Sequence, residues 1–196
     1  MKELIERYPA LESCREDIEK ALCLIIETYK NGGKVLVCVN GGSAADSEHI
    51  VGELMKGFVL KREVDDNRIS ENLRSKLQGA LPAISLVSQS AILSAYINDV
   101  DPDMMYAQLV YGYGKEGDLL IGLSTSGSSK NVVNAACVAN SIGVKTLSLT
   151  GMGGGALADI STVTIKAPET ETYKIQEYHL PVYHYLCKEV EKVFFG

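Results

Sequence analysis

The chain has 196 residues, a length typical of one α/β domain and too short for two. Its 19 basic and 25 acidic residues give a net charge of −6, which argues against nucleic-acid binding because that binding depends on clustered lysine and arginine. No apolar run reaches the length of a transmembrane helix, and the acidic N-terminus is unlike a secretory signal peptide.

The predicted elements alternate between helices and strands along the chain. Residues 3–30 carry apolar side chains at near-helical spacing, which predicts an N-terminal helical segment over residues 1–31. Short apolar runs then predict five strands, with helical stretches between and after them. The strands are expected at 35–39, 81–87, 118–123, 144–149 and 162–166, and the later helices at 44–57, 88–97, 103–112, 129–142 and 172–194.

This alternation predicts a single α/β domain with a parallel sheet that helices cover on both faces. The α/β core is expected to span residues 34–196, with the strands in the flavodoxin-like order 2-1-3-4-5. Residues 61–76 hold nine charged side chains, five positive and four negative, which is typical of a solvated loop or surface helix. A flap over a site and a subunit contact are the alternatives for this segment.

Two polar loops follow the first and third predicted strands, and each leads into a helix. The loop at 40–43 reads Asn-Gly-Gly-Ser, and the loop at 124–129 carries five hydroxyls around Gly127. Glycine lets the backbone approach a ligand, and helix N-termini offer free N–H groups to an anion. Either loop alone could be simple helix capping. Together they indicate a phosphate site, because loops after strands one and three flank the switch point of such a sheet.

Two further patterns bear on cofactor and compartment. The stretch Gly151–Ala156 matches GxGxxG/A, but it follows the fourth predicted strand, so too little chain remains for a dinucleotide-binding half. We therefore expect no nucleotide cofactor. The five cysteines are scattered and form no CxxC pair, which predicts reduced thiols in a cytoplasmic protein.

His49 and Glu53 stand four residues apart on the helix after the first loop, so their side chains share one face. This spacing suits two metal ligands, or a base and its helper; a surface pair is the alternative. The last helix carries His179 and His184, which are about 140° apart on a regular helix, so only one can point into a given site. Pro181 lies between them and predicts a kink. Periodicity alone does not choose between the two histidines.

Four stretches of the chain resemble the phosphoheptose isomerases of the sugar isomerase (SIS) domain family, and the likeness covers nearly the whole sequence. The serine loop alone indicates only a SIS domain that binds a sugar phosphate. The His-x3-Glu pattern after the first loop, combined with Ile-Gln-Glu and a histidine eight residues beyond the glutamine, is more specific. The stretches are NGGSAADSEHIVGEL (40–54), IND (97–99), STSGSSKNV (124–132) and IQEYHLPVYH (175–184).

This resemblance implies a SIS fold, a homotetramer, and isomerisation of the ketose sedoheptulose 7-phosphate to the aldose D-glycero-D-manno-heptose 7-phosphate through an enediol. It implies Glu53 and His184 as the catalytic pair, and so selects His184 over His179. It implies one zinc ion per subunit, bound by His49, Glu53, Gln176 and His184. The substrate-binding residues that it implies are Asn40, Gly41, Gly42, Ser43, Asn98, Asp99, Ser124, Thr125, Ser126, Ser129 and Gln176.

The sequence departs from the usual pattern of the resembled family at three positions. Gln89 stands where aspartate is common, Lys174 where arginine is common, and Ser128 where asparagine is usual. The departures at Gln89 and Lys174 keep open an isomerase of another phosphosugar. A second alternative is a SIS protein that binds a sugar phosphate or a protein partner without catalysis.

Overall fold

A computed structural model describes all 196 residues and contains the predicted alternation of helices and strands. None of its helices combines the length and the apolar character needed to cross a bilayer. The helices are α1 (Lys2–Arg7), α2 (Arg15–Lys30), α3 (Ala44–Met55), α4 (Glu71–Arg74), α5 (Ser90–Asp99), α6 (Met105–Tyr113), α7 (Lys130–Ser141), α8 (Gly155–Ile160) and α9 (Thr172–Phe195), and the strands are β1 (Val35–Val39), β2 (Ala83–Ser85), β3 (Leu119–Leu123), β4 (Lys145–Thr150) and β5 (Val163–Lys166).

The five strands form one parallel sheet in the order β2-β1-β3-β4-β5, which confirms the predicted order. In the register, Val35 of β1 pairs with Ala83 of β2 on one side and with Leu119 of β3 on the other. The second strand is only three residues long, shorter than the predicted 81–87. The order places the carboxyl ends of β1 and β3 side by side at the switch point.

The predicted N-terminal helical segment contains two helices. α1 ends at Arg7, and a 3₁₀ turn over Pro9–Cys14 separates it from α2. Pro9 has no backbone N–H, and Tyr8 before it has a φ of −133°, outside the helical region. The last helix, in contrast, continues from Thr172 to Phe195 through the internal Pro181.

Two apolar cores cover the two faces of the sheet, because successive strand residues point to opposite faces. Val35, Val37 and Val39 of β1 join α1, α2, α3 and α9 in the larger core, while Leu36 and Cys38 join α6, α7 and α8 in the smaller one. The helices α3 and α9 therefore pack on the same face. Their positions relative to each other decide where the side chains of the site meet.

Helix α5, like the short α4, has no buried residue, although its Leu93 is partly buried against the smaller core. Its exposed apolar side chains include Ile92 and Ile97, and Val100 follows directly after the helix. Globular proteins do not usually leave this much apolar surface of a helix exposed to solvent.

The charged segment 61–76 contains one residue that contradicts its predicted surface position. Arg62 is fully buried, and its Nε donates to Oε1 of Glu191 at 2.7 Å, with no solvent exposure of either side chain. Three consecutive backbone N–H groups, at residues 58–60, also donate to the Glu191 carboxylate at 2.8–3.1 Å. This carboxylate therefore holds the chain between α3 and the charged segment against α9.

Arg62 also binds the end of α3. Its guanidinium donates to the carbonyl oxygens of Glu53, at 2.7 Å, and Leu54, at 2.6 Å, which lie in the last turn of that helix. Cations at this position also interact favourably with the helix dipole. The ion pair of Arg62 with Glu191 thus joins α3, which carries Glu53, to α9.

We expect Glu191→Gln to lower the free energy of unfolding by about 3–5 kcal/mol at pH 7, because the buried Arg62 guanidinium loses its counter-charge. Burial alone raises the pKa of the Glu191 carboxyl, but the N–H donors of residues 58–60 and the Arg62 guanidinium outweigh it, so the pKa lies below its ordinary value. The carboxylate therefore stabilises the fold above the unfolded-state value of about 4.3, and this contribution is lost as the pH falls through the lower folded-state pKa.

Denaturant unfolding at several pH values measures the effect. The matched control is Glu63→Gln in the same segment, whose ion pair with Lys61 is exposed and should matter little. The difference between wild type and Glu191→Gln should shrink as the pH falls from about 4.3 through the lower pKa of the folded protein, where wild type loses its carboxylate as well. Equal stability of the two variants at pH 7 would contradict a structural role for the buried pair.

Candidate functional site

The two predicted loops lie next to each other at the carboxyl ends of β1 and β3. Asn40 follows β1 and leads through a 3₁₀ turn, Gly41–Ser43, into α3. The serine loop, residues 124–129, follows β3 and leads into α7. The structure thus brings together eight of the predicted substrate-binding residues, Asn40, Gly41, Gly42, Ser43, Ser124, Thr125, Ser126 and Ser129.

A reciprocal amide pair joins these two loops. Asn40 Nδ2 donates to Asn131 Oδ1 at 2.7 Å, and Asn131 Nδ2 donates to Asn40 Oδ1 at 2.9 Å. Asn131 lies in the first turn of α7, and sequence reasoning did not single it out. Two parallel hydrogen bonds between amides fix the orientation of both side chains, so the first loop is held in a defined position beside the second.

Within the serine loop the hydroxyl groups cluster. Ser124 Oγ lies 3.0 Å from Ser129 Oγ and 3.4 Å from Ser126 Oγ, and the backbone N–H of Ser128 donates to Ser126 Oγ at 3.2 Å. Hydroxyls can rotate to donate to an anion, and the N–H groups at the start of α7 point in a favourable direction for one. The loop can therefore hold a phosphate with neutral donors.

The glycine-rich stretch 151–156 supports the serine loop from behind. Gly127 has a φ of +66°, and a Cβ at this position would overlap the carbonyl of Gly154. Gly151 N–H donates to the carbonyl of Thr125 at 3.0 Å, and Leu157 N–H donates to that of Gly127 at 2.9 Å. Here the glycines permit close packing of two backbones.

A second cluster forms where α3 faces α9. His49 Nε2 lies 3.1 Å from Glu53 Oε1 on the same helix and 3.3 Å from His184 Nε2 on the last helix. The rings of His49 and His184 meet edge to face with their centres 4.8 Å apart. The structure therefore brings together three of the four predicted zinc ligands, including both members of the predicted catalytic pair.

The electrostatics of this cluster are unbalanced. The Glu53 side chain is 14% exposed, and its Oε2 is buried without any hydrogen-bond partner. An unpartnered buried carboxylate oxygen costs free energy that a cation or a proton would offset. Burial, followed by the nearby His49, lowers the pKa of His184, which favours its neutral form.

The other histidine of α9 lies elsewhere. His179 is buried, and its Nε2 hydrogen-bonds the carbonyl of Thr150, at the end of β4, at 3.2 Å. Burial lowers the pKa of His179 and favours the neutral imidazole. Periodicity left open which of the two histidines points into the site. In the structure His184 faces the cluster and His179 faces the sheet.

Three predicted site residues lie apart from this cluster. Gln176 Nε2 donates to Ser43 Oγ at 3.1 Å, and Gln176 forms no hydrogen bond with His49, Glu53 or His184. It thereby links α9 to the first loop. Asn98 and Asp99 lie at the exposed end of α5, where Asn98 Nδ2 donates to Asp99 Oδ1 at 2.7 Å.

The two parts of the site are spaced along α3. This helix rises about 1.5 Å per residue, so Ser43 in the first loop and His49 in the cluster are about 9 Å apart along its axis. A phosphate held by the loops and a reacting group at the cluster would therefore belong to opposite ends of one extended molecule. Acid–base groups at that distance from an anion site suit chemistry at the far end of a phosphorylated chain.

Comparisons with known proteins agree with this geometry. The model of the SIS domain family matches residues 1–151. The phosphoheptose isomerase of Akkermansia muciniphila is 37% identical over 98% of this chain and 94% of its own length, and that of Helicobacter pylori strain Shi470 is 38% identical over 98% and 91%. The solved structure of phosphoheptose isomerase from Neisseria gonorrhoeae superposes with a TM-score of 0.80 at 30% identity, covering 97% of this chain and 94% of that one.

Both the sequence and the fold of these relatives therefore match over nearly the full length. The match extends through α9, which carries His184 and lies beyond the residues that the family model covers. The chain belongs to the phosphoheptose isomerase family of SIS-domain proteins.

Proposed function

We propose that this protein isomerises the ketose sedoheptulose 7-phosphate to the aldose D-glycero-D-manno-heptose 7-phosphate through an enediol. The observation that carries the proposal is the meeting of Glu53 and His49, on the helix that begins at the phosphate loops, with His184 of α9. The relatives named phosphoheptose isomerase support the choice of substrate.

In this proposal the loops hold the phosphate of the substrate. The hydroxyls of Ser124, Thr125, Ser126 and Ser129 donate to its oxygens, and the backbone of Asn40–Gly42 closes the other side. Neutral donors replace cations here, because hydrogen bonds from neutral groups to a charged acceptor are stronger than those between neutral groups. Ser43 and Gln176 line the same pocket, and Asn98 and Asp99 are the proposed contacts of the sugar hydroxyls.

Glu53 and His184 move the protons. The Glu53 carboxylate takes a proton from C1 of the open ketose, and the electron pair forms the C1–C2 double bond while O2 gains a proton. The enediol then loses the proton on O1 and regains one at C2, which gives the aldose with no net change in atoms or charge. His184, favoured in its neutral form, can donate or accept at the two oxygens.

Zinc is the proposed cofactor. Two imidazole nitrogens and a carboxylate are donors that zinc prefers, and a cation beside Glu53 would offset the cost of its unpartnered Oε2. The side chains as they stand do not form a ready-made metal site, so His49, Glu53 and His184 would have to turn toward one point. Gln176 would have to leave Ser43 to become a ligand. When bound, zinc would polarise the substrate oxygens.

Two rival functions remain distinct from this proposal. An isomerase of another phosphosugar would use the same cluster. The reason to consider it is that Gln89 and Lys174 depart from the usual pattern of the family. In the structure both residues make local contacts, Gln89 with Tyr113 and Lys174 with Glu171. A binding protein without catalysis would need only the loops, so the three-residue cluster favours an enzyme.

We expect Glu53→Gln to lower the rate of isomerisation by about 10²–10⁴-fold while leaving the affinity for the sugar phosphate largely unchanged, because the amide keeps the shape but cannot accept the proton. Ser126→Ala should do the reverse. Loss of one hydrogen bond weakens binding by about 0.5–1.5 kcal/mol, and by more if the phosphate charge strengthens that bond.

The measurement follows aldose formation from sedoheptulose 7-phosphate, with calorimetry for affinity. If wild type binds the substrate and never converts it, the protein is a sugar-phosphate-binding protein without catalysis. Faster conversion of a different phosphosugar would overturn only the choice of heptose.

For the metal, we expect about one zinc per subunit in protein purified without chelator, and none in His49→Ala. His179→Asn is the matched control, since it removes the imidazole that lies outside the cluster and should keep the metal. Elemental analysis checks both. Metal-free wild type, or equal zinc in wild type and His49→Ala, would contradict the zinc proposal and leave the isomerase proposal standing.

We also propose that the protein is a homotetramer in the cytoplasm. The five free thiols, three of them buried, support a reducing compartment. The buried apolar residues of the N-terminal helices pack within the chain's own core, so they offer no support for contacts between subunits. The support comes from α5, whose exposed apolar side chains need a cover.

Light scattering at micromolar concentration should give the mass of four chains. We expect the paired substitution Ile97→Glu and Val100→Glu to shift the mass toward smaller species, because charges would then have to be buried at the contact. Leu180→Glu, which changes a similarly exposed apolar residue on another helix, is the comparison. A monomeric wild type would contradict the proposed assembly.

A further inference from the structure

The two loops of the proposed phosphate site meet in a pair of amide side chains. Asn40 directly follows β1, and Asn131 lies two residues after Ser129, the last serine of the second loop. Their amides exchange two hydrogen bonds, at 2.7 and 2.9 Å between nitrogen and oxygen. The side chain of Asn131 is therefore a direct contact between α7 and the first loop.

One backbone N–H fixes the orientation of both amides. The N–H of Val132 donates to Asn131 Oδ1 at 2.9 Å and shares its hydrogen with the carbonyl of Ser129 at 3.0 Å. A backbone N–H can only donate, so the Asn131 atom that it meets must be the oxygen. The Asn131 nitrogen then donates to Asn40 Oδ1. If the Asn40 amide turned over, its oxygen would face the Asn131 oxygen with no hydrogen between them.

This orientation leaves a free donor on the first loop. Each amide nitrogen carries two hydrogens, and the pair uses one of each. No other protein atom accepts from Asn40 Nδ2, and Asn40 is exposed. Its oxygen, in contrast, is engaged by Asn131. An unpaired asparagine could turn either its oxygen or its nitrogen toward a ligand, and only the nitrogen suits an anion.

The backbone just before Asn40 is held by a separate contact. Val39 is the last residue of β1, and its carbonyl accepts a hydrogen bond from the Tyr106 hydroxyl at 2.6 Å. Tyr106 lies on α6 and is 2% exposed. Because this contact does not involve Asn131, loss of the Asn131 amide should free the side chain of Asn40 while the backbone at the start of the loop keeps its place.

We propose that Asn131 is a positioning residue that keeps Asn40 in the orientation that offers an amide N–H, and not the carbonyl oxygen, to a bound phosphate. This inference rests on the proposed function, since it takes the two loops as the phosphate site. A donor that is ordered before the ligand arrives does not have to be ordered on binding. For one side chain this saving corresponds to about 2–10-fold in affinity.

The test is a double-mutant cycle on Asn40 and Asn131, with affinity measured by calorimetry for sedoheptulose 7-phosphate and, separately, for inorganic phosphate. Asn131→Ala should weaken the binding of both by about 2–10-fold, because the Asn40 amide must then be ordered on binding. Asn40→Ala should weaken it by about 10–100-fold, since a hydrogen bond to a charged acceptor is lost. The double variant should bind like Asn40→Ala alone, because Asn131 acts through Asn40.

Asn134→Ala is the matched control on the same helix. The Asn134 amide donates to the carbonyl of Asp103 at 2.9 Å, so this variant also removes an amide and a hydrogen bond from α7 but leaves Asn40 untouched. Its affinity should equal that of wild type. In Asn131→Ala the KM for sedoheptulose 7-phosphate should rise with an unchanged kcat, because the acid–base cluster lies at the other end of the site.

Unchanged affinity in Asn131→Ala would overturn the inference. So would an effect of Asn131→Ala that persists in full in the Asn40→Ala background, because Asn131 would then act on the structure of α7 and not through Asn40. Weaker binding of the sugar phosphate alone would place Asn40 against the sugar and overturn it as well.

The inference and the proposed function can fail separately. If wild type binds sedoheptulose 7-phosphate without converting it, and the cycle behaves as expected, the role of Asn131 stands and the isomerase proposal falls. If wild type converts the ketose and Asn131→Ala binds it as tightly, the isomerase proposal stands and the role of Asn131 falls. Wild type that does not bind sedoheptulose 7-phosphate would overturn both.

Discussion

The buried ion pair between Arg62 and Glu191 is the constraint on which the geometry of the site depends. It joins the last turn of α3 to α9 through the guanidinium and fixes the intervening backbone through the carboxylate. A buried pair of this kind is weak evidence for extra stability, because desolvation offsets the attraction. Its effect is on relative position: α3 supplies His49 and Glu53, α9 supplies His184, and small shifts between the helices would separate the three side chains.

The site combines a rigid anion-binding end with a reactive end. The loops are held by the amide pair of Asn40 with Asn131 and by close backbone packing behind Gly127, so their donors are in place before a ligand arrives. The reactive end is held by the two helices. Binding energy from a remote phosphate can position the reacting carbons, which is how distant contacts contribute to catalysis.

The local sequence pattern predicted much of the fold and of the site. It failed for residues whose position depends on contacts with distant parts of the chain. The apolar runs predicted β1 and β3 because buried parallel strands need them, and the two loops followed from their places after those strands. His184 came from the family resemblance, since angles along α9 do not show which face meets α3. Arg62 in a run of charges resembles a surface residue, because its partner lies 129 positions away. Asn131 resembles an ordinary helix residue until Asn40 is placed beside it.

The central claim is that this protein moves protons between C1 and C2 of sedoheptulose 7-phosphate through an enediol. The most direct measurement is NMR of the reaction of wild-type protein with that ketose in D₂O. A base such as Glu53 can exchange the abstracted proton with solvent, so the aldose product should carry deuterium at C2. Deuterium at C2 would establish proton transfer through an enediol, and unchanged ketose would contradict the claim.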